Sequence, residues 1–152
     1  MNIERLEQSI KNRDFSVVLF WGKGCPACEQ TKPVYSEYKE LYKDLNLLDM
    51  QFDVDSYEFY SRFAEKVQDQ TPILDAKGEP KLDKEGTPTF EPALTAEGKP
   101  VMVPKIIVPS FFVFSQEADG LGFIGSVDGH NPEKLKELLD VISFKQQGRN
   151  FR

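Results

Sequence analysis

The sequence predicts an α/β protein built on a central four-stranded mixed sheet flanked by helices. Three observations point there. Apolar runs alternate with amphipathic stretches from the start of the chain to about residue 67, in the order helix, strand, helix, strand, helix, which places parallel strands side by side with crossover helices. Further on, two more apolar runs are separated by a short turn and read as an antiparallel pair. The third observation is the only cysteine pair, Cys25 and Cys28, standing where the first strand hands over to a long helical pattern.

Each element has its own signature. Asn2 can cap a first helix whose apolar Ile3, Leu6 and Ile10 share one face, ending near residues 12–14. Val17 to Trp21 reads as a buried strand. From Cys25 to about Asp44, Thr31, Val34, Tyr38, Leu41, Tyr42 and Leu45 recur at helical spacing, and Pro33 inside that stretch predicts a kink because it removes one backbone hydrogen bond. Leu47 to Val54 reads as the second strand, and Ser56 to about Val67 as a helix burying Tyr57, Tyr60 and Phe63. Beyond a Gly- and Pro-rich insert, Pro109 cannot donate to a central ladder, so the strand is expected to be Ser110 to Phe114, with a cis peptide at its start as a specific constraint. Ser115 to Gly120 turns, Leu121 to Gly125 returns as an edge strand, and Asn131-Pro132-Glu133 starts a last helix that buries Leu135, Leu138, Leu139 and Ile142. From Lys145 onward the chain is expected to fray into a flexible tail, 145–152.

Between about residues 68 and 105, in the insert, the alternation stops. A nine-residue unit occurs three times, from Leu74 to Leu82, Leu82 to Phe90 and Leu94 to Met102: leucine, three residues, glycine, one residue, proline, one residue, a large apolar residue. The glycines suit turns, and the prolines restrict the residues after them to edge strands or extended loops. Short hairpins or wound loops pinned by Leu74, Leu82, Phe90, Leu94 and Met102 are expected, against the alternative of a mobile linker; three copies are too few for a solenoid. The domain is therefore expected to span 1–144, interrupted by this insertion.

Composition narrows the function. The chain has 152 residues, 39% hydrophobic and 12% aromatic, the size and content of one globular domain. A formal net charge of −6 argues against binding a phosphate backbone, so nucleic acid is not an expected partner. No apolar run reaches membrane-spanning length, and the charged opening has no signal-peptide pattern, so a cytoplasmic, monomeric protein away from membranes is expected. In that compartment a CxxC is catalytic or metal-binding rather than a permanent staple. Intramolecular zinc needs four ligands, and beyond Cys25 and Cys28 the chain offers the single His130. No metal site is expected, and a cluster shared between two chains would require ligands from both. A CxxC at a strand-to-helix junction instead puts the first sulfur at a helix N-terminus, where free N–H groups and the macrodipole favour a thiolate. That arrangement suits thiol–disulfide exchange, although an isolated CxxC can also be an inert thiol pair.

Taken together, Trp21 four residues before Cys25, Cys28 three after it, Pro33 eight after it, and Val108-Pro109-Ser110 in the second half resemble the thioredoxin-fold proteins. The resemblance covers about residues 1–67 and 106–144 and leaves the insert without a counterpart. It implies that Cys25 attacks a substrate disulfide and Cys28 resolves the mixed disulfide, with no cofactor beyond that redox-active pair. It also implies that Pro109 lies against the cysteines and that Trp21, Val108, Pro109 and Gly125 line the substrate groove, where exposed backbone pairs with an extended peptide. Pro26 and Ala27, between the sulfurs, tune the motif and share their first proline with glutaredoxins and disulfide oxidases.

Two departures are visible. Thioredoxins carry a buried acid two residues before the tryptophan, here Leu19, and a lysine whose counterpart is placed at Gln51. Lys23 and Glu29 flank the motif as surface charges. The expected function is reduction of protein disulfides, with electrons from a thioredoxin-reductase-like or glutathione-based donor. The competing expectation is a thioredoxin-fold interaction module with little redox turnover, which Leu19 and Gln51 favour.

Overall fold

A computed structural model describes residues 2–117 and 120–150. The chain divides into two compact units, one of Met1–Phe63 with Ile107–Arg152 and one of Ala64–Ile106. The first contains α1 (Ile3–Lys11), β1 (Phe15–Trp21), α2 (Pro26–Leu41), β2 (Asn46–Gln51), α3 (Tyr57–Phe63), and later β7 (Ser110–Glu117), β8 (Gly120–Asp128) and α4 (Pro132–Asn150). The second holds four three-residue strands, β3 (Lys66–Gln68), β4 (Gln70–Pro72), β5 (Phe90–Pro92) and β6 (Met102–Pro104).

The sheet of the first unit has the order β2-β1-β7-β8. Strands β1 and β2 are parallel, while β7 runs antiparallel to both β1 and β8. Because side chains alternate across a strand, β1 and β7 split their apolar residues between two layers. Phe15, Val17, Leu19, Phe111 and Val113 join Tyr35 of α2 and Leu135, Leu139 and Ile142 of α4 in one core cluster. Phe20, Phe112 and Phe114 point the other way, into ring contacts with Phe59, Tyr60 and Phe63 of α3, such as Phe20–Tyr60 at 5.2 Å between centroids and Phe63–Phe114 at 5.1 Å. Each such fully buried side chain contributes about 1.5–3 kcal/mol. Two polar side chains of the core are well paired: Asn46 Nδ2 donates to Ser9 and Ser16, and Tyr60 Oη both accepts from Ile107 N–H (3.0 Å) and donates to Ile107 O (3.1 Å).

Several boundaries differ from the sequence expectation. The second strand stops at Gln51, because Asp53 Oδ1 accepts from the N–H groups of Asp55 and Ser56 and turns the chain into α3, leaving Val54 89% exposed. Helix α3 closes at Phe63. Strand β8 runs three residues beyond Gly125, to Asp128. Strand β7 extends to Glu117 where a turn was expected, and the remaining turn residues Ala118 and Asp119 lie outside the described residues. The frayed tail is corrected for most of its length: α4 continues through Lys145 to Asn150, with Gln146 buried and its amide donating to Asp44 O at 2.6 Å. That long-range bond gives the last helical turns an anchor that local composition does not reveal; Phe151 and Arg152 lie outside the described residues.

The second unit is a branched set of hairpins with no fully buried residue. Its stem is β3 paired with β6. Beyond the stem, Ala93 N–H donates to Asp69 O (2.9 Å), Asp69 N–H to Val101 O (2.8 Å), and Val101 N–H to Ala93 O (2.8 Å), closing a three-way ring of backbone bonds. One branch is the hairpin Leu94–Pro100, and the other is β4 paired with β5. That second branch leads to an equivalent ring, in which Ile73, Lys81 and Thr89 bond cyclically at 2.8–2.9 Å and carry the hairpins Leu74–Pro80 and Leu82–Pro88. Five of the six ring residues stand in a Pro-x-large-apolar step: Pro72-Ile73-Leu74, Pro80-Lys81-Leu82, Pro88-Thr89-Phe90, Pro92-Ala93-Leu94 and Pro100-Val101-Met102. Each hairpin tip is tied in the same way. Asp75 and Asp83 accept two backbone N–H bonds apiece through Oδ1, Thr95 accepts one through Oγ1, and the glycine of each tip, such as Gly86 at φ +81°, takes the left-handed conformation that side chains disfavour. The pinning role expected for Leu74, Leu82, Phe90, Leu94 and Met102 is corrected, since all five are 54–58% exposed. Backbone bonds, rather than apolar anchors, hold the unit together.

Candidate active site

Strand β1 and helix α2 place the cysteines. Trp21 closes β1 and its carbonyl accepts from Phe52 N–H at 2.7 Å, which fixes the end of the strand. Gly22 to Gly24 then turn the chain, Gly24 at φ +70°. Cys25 is the N-cap of α2: its Sγ accepts from Cys28 N–H at 3.2 Å, and Pro26 occupies the first helical position, where no N–H is needed. Cys28 follows one turn in, completely buried, whereas Cys25 is half-buried. The two sulfurs are joined as a disulfide. Cys28 Sγ accepts from Gly22 N–H at 3.3 Å. Helix α2 runs on through Pro33 to Leu41.

The second half of the chain brings one further piece. The Val108–Pro109 peptide bond is cis, and Val108 O lies 3.7 Å from Cys25 Sγ. Pro109 is buried, Val108 half-buried, and Pro109 O accepts from Gly129 N–H at 2.7 Å. Trp21 stays close to the motif through α2, with Lys32 Nζ 3.8 Å from its ring centroid and also bonded to Glu29.

Gly125, expected in the groove, is elsewhere. Ser110 pairs with Asp128 and Val113 with Gly125, so Gly125 sits three residues along β8 from the Pro109 end, about 10 Å at strand rise. It lines a separate groove of about 340 Å³ with Ile124, Val127, Leu138 and Val141, between β8 and α4. The glycine that meets Pro109 is Gly129. Gly129 stands two residues before Asn131, the cap of α4, beyond the point at which the sequence expectation ends the fourth strand.

Leu19 lies in the apolar core at 1% exposure. Its register partner on β2 is Asp49, and Gln51 pairs with Trp21. An acid–lysine pair missed in the sequence stands there: Asp49 Oδ2 and Lys39 Nζ are 2.9 Å apart, both half-exposed. With Leu19, Trp21, Lys32 and Tyr35 they line a recess of about 280 Å³. Burial and then the Asp49 charge push the Tyr35 phenol well above its ordinary value, while its hydroxyl donates to Val17 O and Leu48 O. Thr31, buried one turn after Cys28, bonds His130 Nδ1 at 2.7 Å and ties α2 to the loop after β8. Among the described residues no group of three His, Cys, Asp or Glu side chains could hold a metal, and no helix is long and apolar enough to cross a membrane.

No protein-family model matches the sequence, and no curated protein matches it. Solved structures do. Thioredoxin f2 of Chlamydomonas reinhardtii is similar over 92% of this chain and 91% of its own, with a TM-score of 0.58 and 10% identity. A structure of a ferredoxin:thioredoxin reductase and thioredoxin f2 complex is similar over 93% and 91%, with a TM-score of 0.60 and 13% identity. A structure from work on the thiol resolving mechanism of yeast mitochondrial 1-Cys peroxiredoxin via glutathione/thioredoxin systems is similar over 91% and 89%, with a TM-score of 0.54 and 18% identity. The chain has the thioredoxin fold. On that fold it carries a cysteine pair able to close a disulfide at the start of α2.

Proposed function

We propose that the protein is a thiol–disulfide oxidoreductase that reduces protein disulfides through a Cys25–Cys28 dithiol/disulfide cycle. The observation that carries this reading is the asymmetry of the pair at the α2 N-terminus: Cys25 is reachable and Cys28 is buried, with the Val108 carbonyl beside Cys25 Sγ. A thiolate at Cys25, favoured by the helix N-terminus and by Cys28 N–H, attacks one sulfur of a substrate disulfide. A Cys25–substrate bond forms, the substrate disulfide breaks, and the departing thiolate takes a proton from water. Cys28 as thiolate then attacks Cys25 Sγ, the mixed disulfide breaks, and the second substrate thiol leaves. Two electrons have passed to the substrate. A thioredoxin-reductase-like or glutathione-based dithiol or thiol donor returns them, in a cytoplasmic setting. Backbone groups at Val108 and the faces of Trp21 and Pro109 hold the extended substrate segment, Gly129 supports Pro109 from behind, and Pro26 and Ala27 set the sulfur environment without supplying a cation.

A second reading, an interaction module with little turnover, draws on the apolar Leu19 in the core. Equilibration of Cys25–Cys28 against defined thiol buffers, read by quenched alkylation, decides between them. A reversible potential near about −270 mV is expected for a reductant of this type; absence of any reversible disulfide would leave the interaction module standing. Cys28→Ser is expected to accumulate mixed disulfides through Cys25, and trapping through neither sulfur would overturn the assigned roles.

A further inference from the structure

Resolution of the mixed disulfide needs Cys28 as a thiolate, yet Cys28 is completely buried, and burial disfavours the charged form of a thiol. Something must offset that cost. The position two residues before Trp21 holds Leu19, which has no charge to offer, and Asp49 and Lys39 are engaged with each other in a half-exposed pair. The donor recorded at the sulfur is a backbone group, Gly22 N–H, 3.3 Å from Cys28 Sγ.

Gly22 is also tightly surrounded. A Cβ at position 22 would meet Val108 Cγ2 at 3.0 Å and Cys25 Cβ at 3.8 Å. The bare backbone therefore approaches both cysteines and the residue before Pro109 at once, with the preceding Trp21 carbonyl fixed by Phe52 N–H.

We propose that Gly22 is a catalytic residue of the exchange, its amide stabilising the Cys28 thiolate as it forms and attacks Cys25. The inference rests on the proposed dithiol/disulfide cycle. A hydrogen bond to a neutral disulfide sulfur is weak, and the same bond to a thiolate is charge-assisted, so the interaction grows along the resolving step, which is what accelerates a reaction. The atoms and electrons are those of the second exchange: the Cys28–Cys25 bond forms, the Cys25–substrate bond breaks, and the electron pair leaves on the substrate sulfur. Gly22 neither takes nor gives a proton in it.

The test replaces the amide at position 22 by an ester. Gly24–Cys25 is a native ligation junction, so a synthetic 1–24 thioester carrying glycolate in place of Gly22 can be joined to chain 25–152, with an all-amide protein assembled identically as reference. The reduced full-length protein is mixed with a chromogenic aryl disulfide, which releases one aryl thiolate on attack by Cys25 and a second when Cys28 resolves. Loss of a hydrogen bond to a charged group raises the thiolate midpoint by about one unit or more, and the higher basicity returns part of the lost rate. The second release is therefore expected to slow about threefold to tenfold at neutral pH, with its pH midpoint moved upward and the first release less affected. An unchanged second phase and midpoint overturn the proposal. Should the ester protein not fold, Gly22→Pro, which has no N–H to donate, carries the test in a Val108→Ala background that makes room for the ring: the second phase is slower and its pH midpoint higher than in Val108→Ala alone. A second phase and midpoint equal to those of Val108→Ala alone overturn the proposal as well. If the all-amide protein releases no second thiolate, the dithiol cycle itself fails, a result distinct from an unresponsive second phase.

Discussion

The two units of this chain are stabilised by opposite means. In the first, side chains do the holding: fully buried Phe20, Phe59, Phe111, Phe114, Leu135 and Leu139 sit on both faces of one sheet. The second has no fully buried residue, and its order comes from two cyclic triads of backbone bonds and three capped hairpin tips. A layered core tolerates surface change and punishes the loss of a methylene. Apart from the tip caps Asp75, Asp83 and Thr95, the hairpin module should tolerate most side-chain changes and punish changes to backbone geometry.

That contrast can be broken in order of expected size. Phe20→Ala removes a ring packed against Phe59, Tyr60 and Phe112 and is expected to cost about 3–5 kcal/mol, read from the denaturant midpoint. Tyr60→Phe leaves the buried ring and removes the hydroxyl that serves both Ile107 N–H and Ile107 O; a loss of about 1–3 kcal/mol is expected, and a change near zero would mean that water replaces it. In the second unit, Gly86→Ala forces a side chain into φ +81° and is expected to cost about 1 kcal/mol, seen as faster hydrogen exchange at the Lys81 and Thr89 amides with no change at Val18. By contrast, Leu82→Ser, at a residue 54% exposed, should alter stability by less than about 0.5 kcal/mol; a larger loss would show that the apolar side chains are anchors after all. Finally, deletion of Asp69 to Pro104 should leave the circular dichroism and melting of the first unit nearly unchanged, and collapse would show that the two modes of stabilisation depend on each other.

The first unit was legible because its signals are local. The apolar runs Val17–Trp21 and Ser110–Phe114 and the helical spacing of Leu135–Ile142 survive into the structure, and the cap signals at Asn2 and Asn131 act where they were read. The site was legible as far as contiguous residues carry it, since Cys25, Pro26 and Cys28 fix their own geometry. What failed depended on distant partners. Gly125 was expected beside Pro109, where the β7–β8 register and the Gly129 N–H bond to Pro109 O instead place Gly129, and the last turns of α4 depend on Asp44, 102 positions away from Gln146. The Lys39–Asp49 pair needs both α2 and β2 in place before it exists. In the insert, the repeat and its turn residues were visible, but cyclic backbone bonding leaves no side-chain pattern beyond the Pro-x-apolar step.

The stem of that module has a consequence for how such a chain can change over generations. Lys66 pairs with Pro104, so the segment departs and returns at adjacent points, and each hairpin inside it likewise returns the backbone to the ring it left. An arm of this kind behaves as a cassette: duplicating or excising one at a ring alters the reading length without moving the exit. A lineage could lengthen or shorten the module hairpin by hairpin while the codons for the cysteine-bearing unit stay untouched on either side.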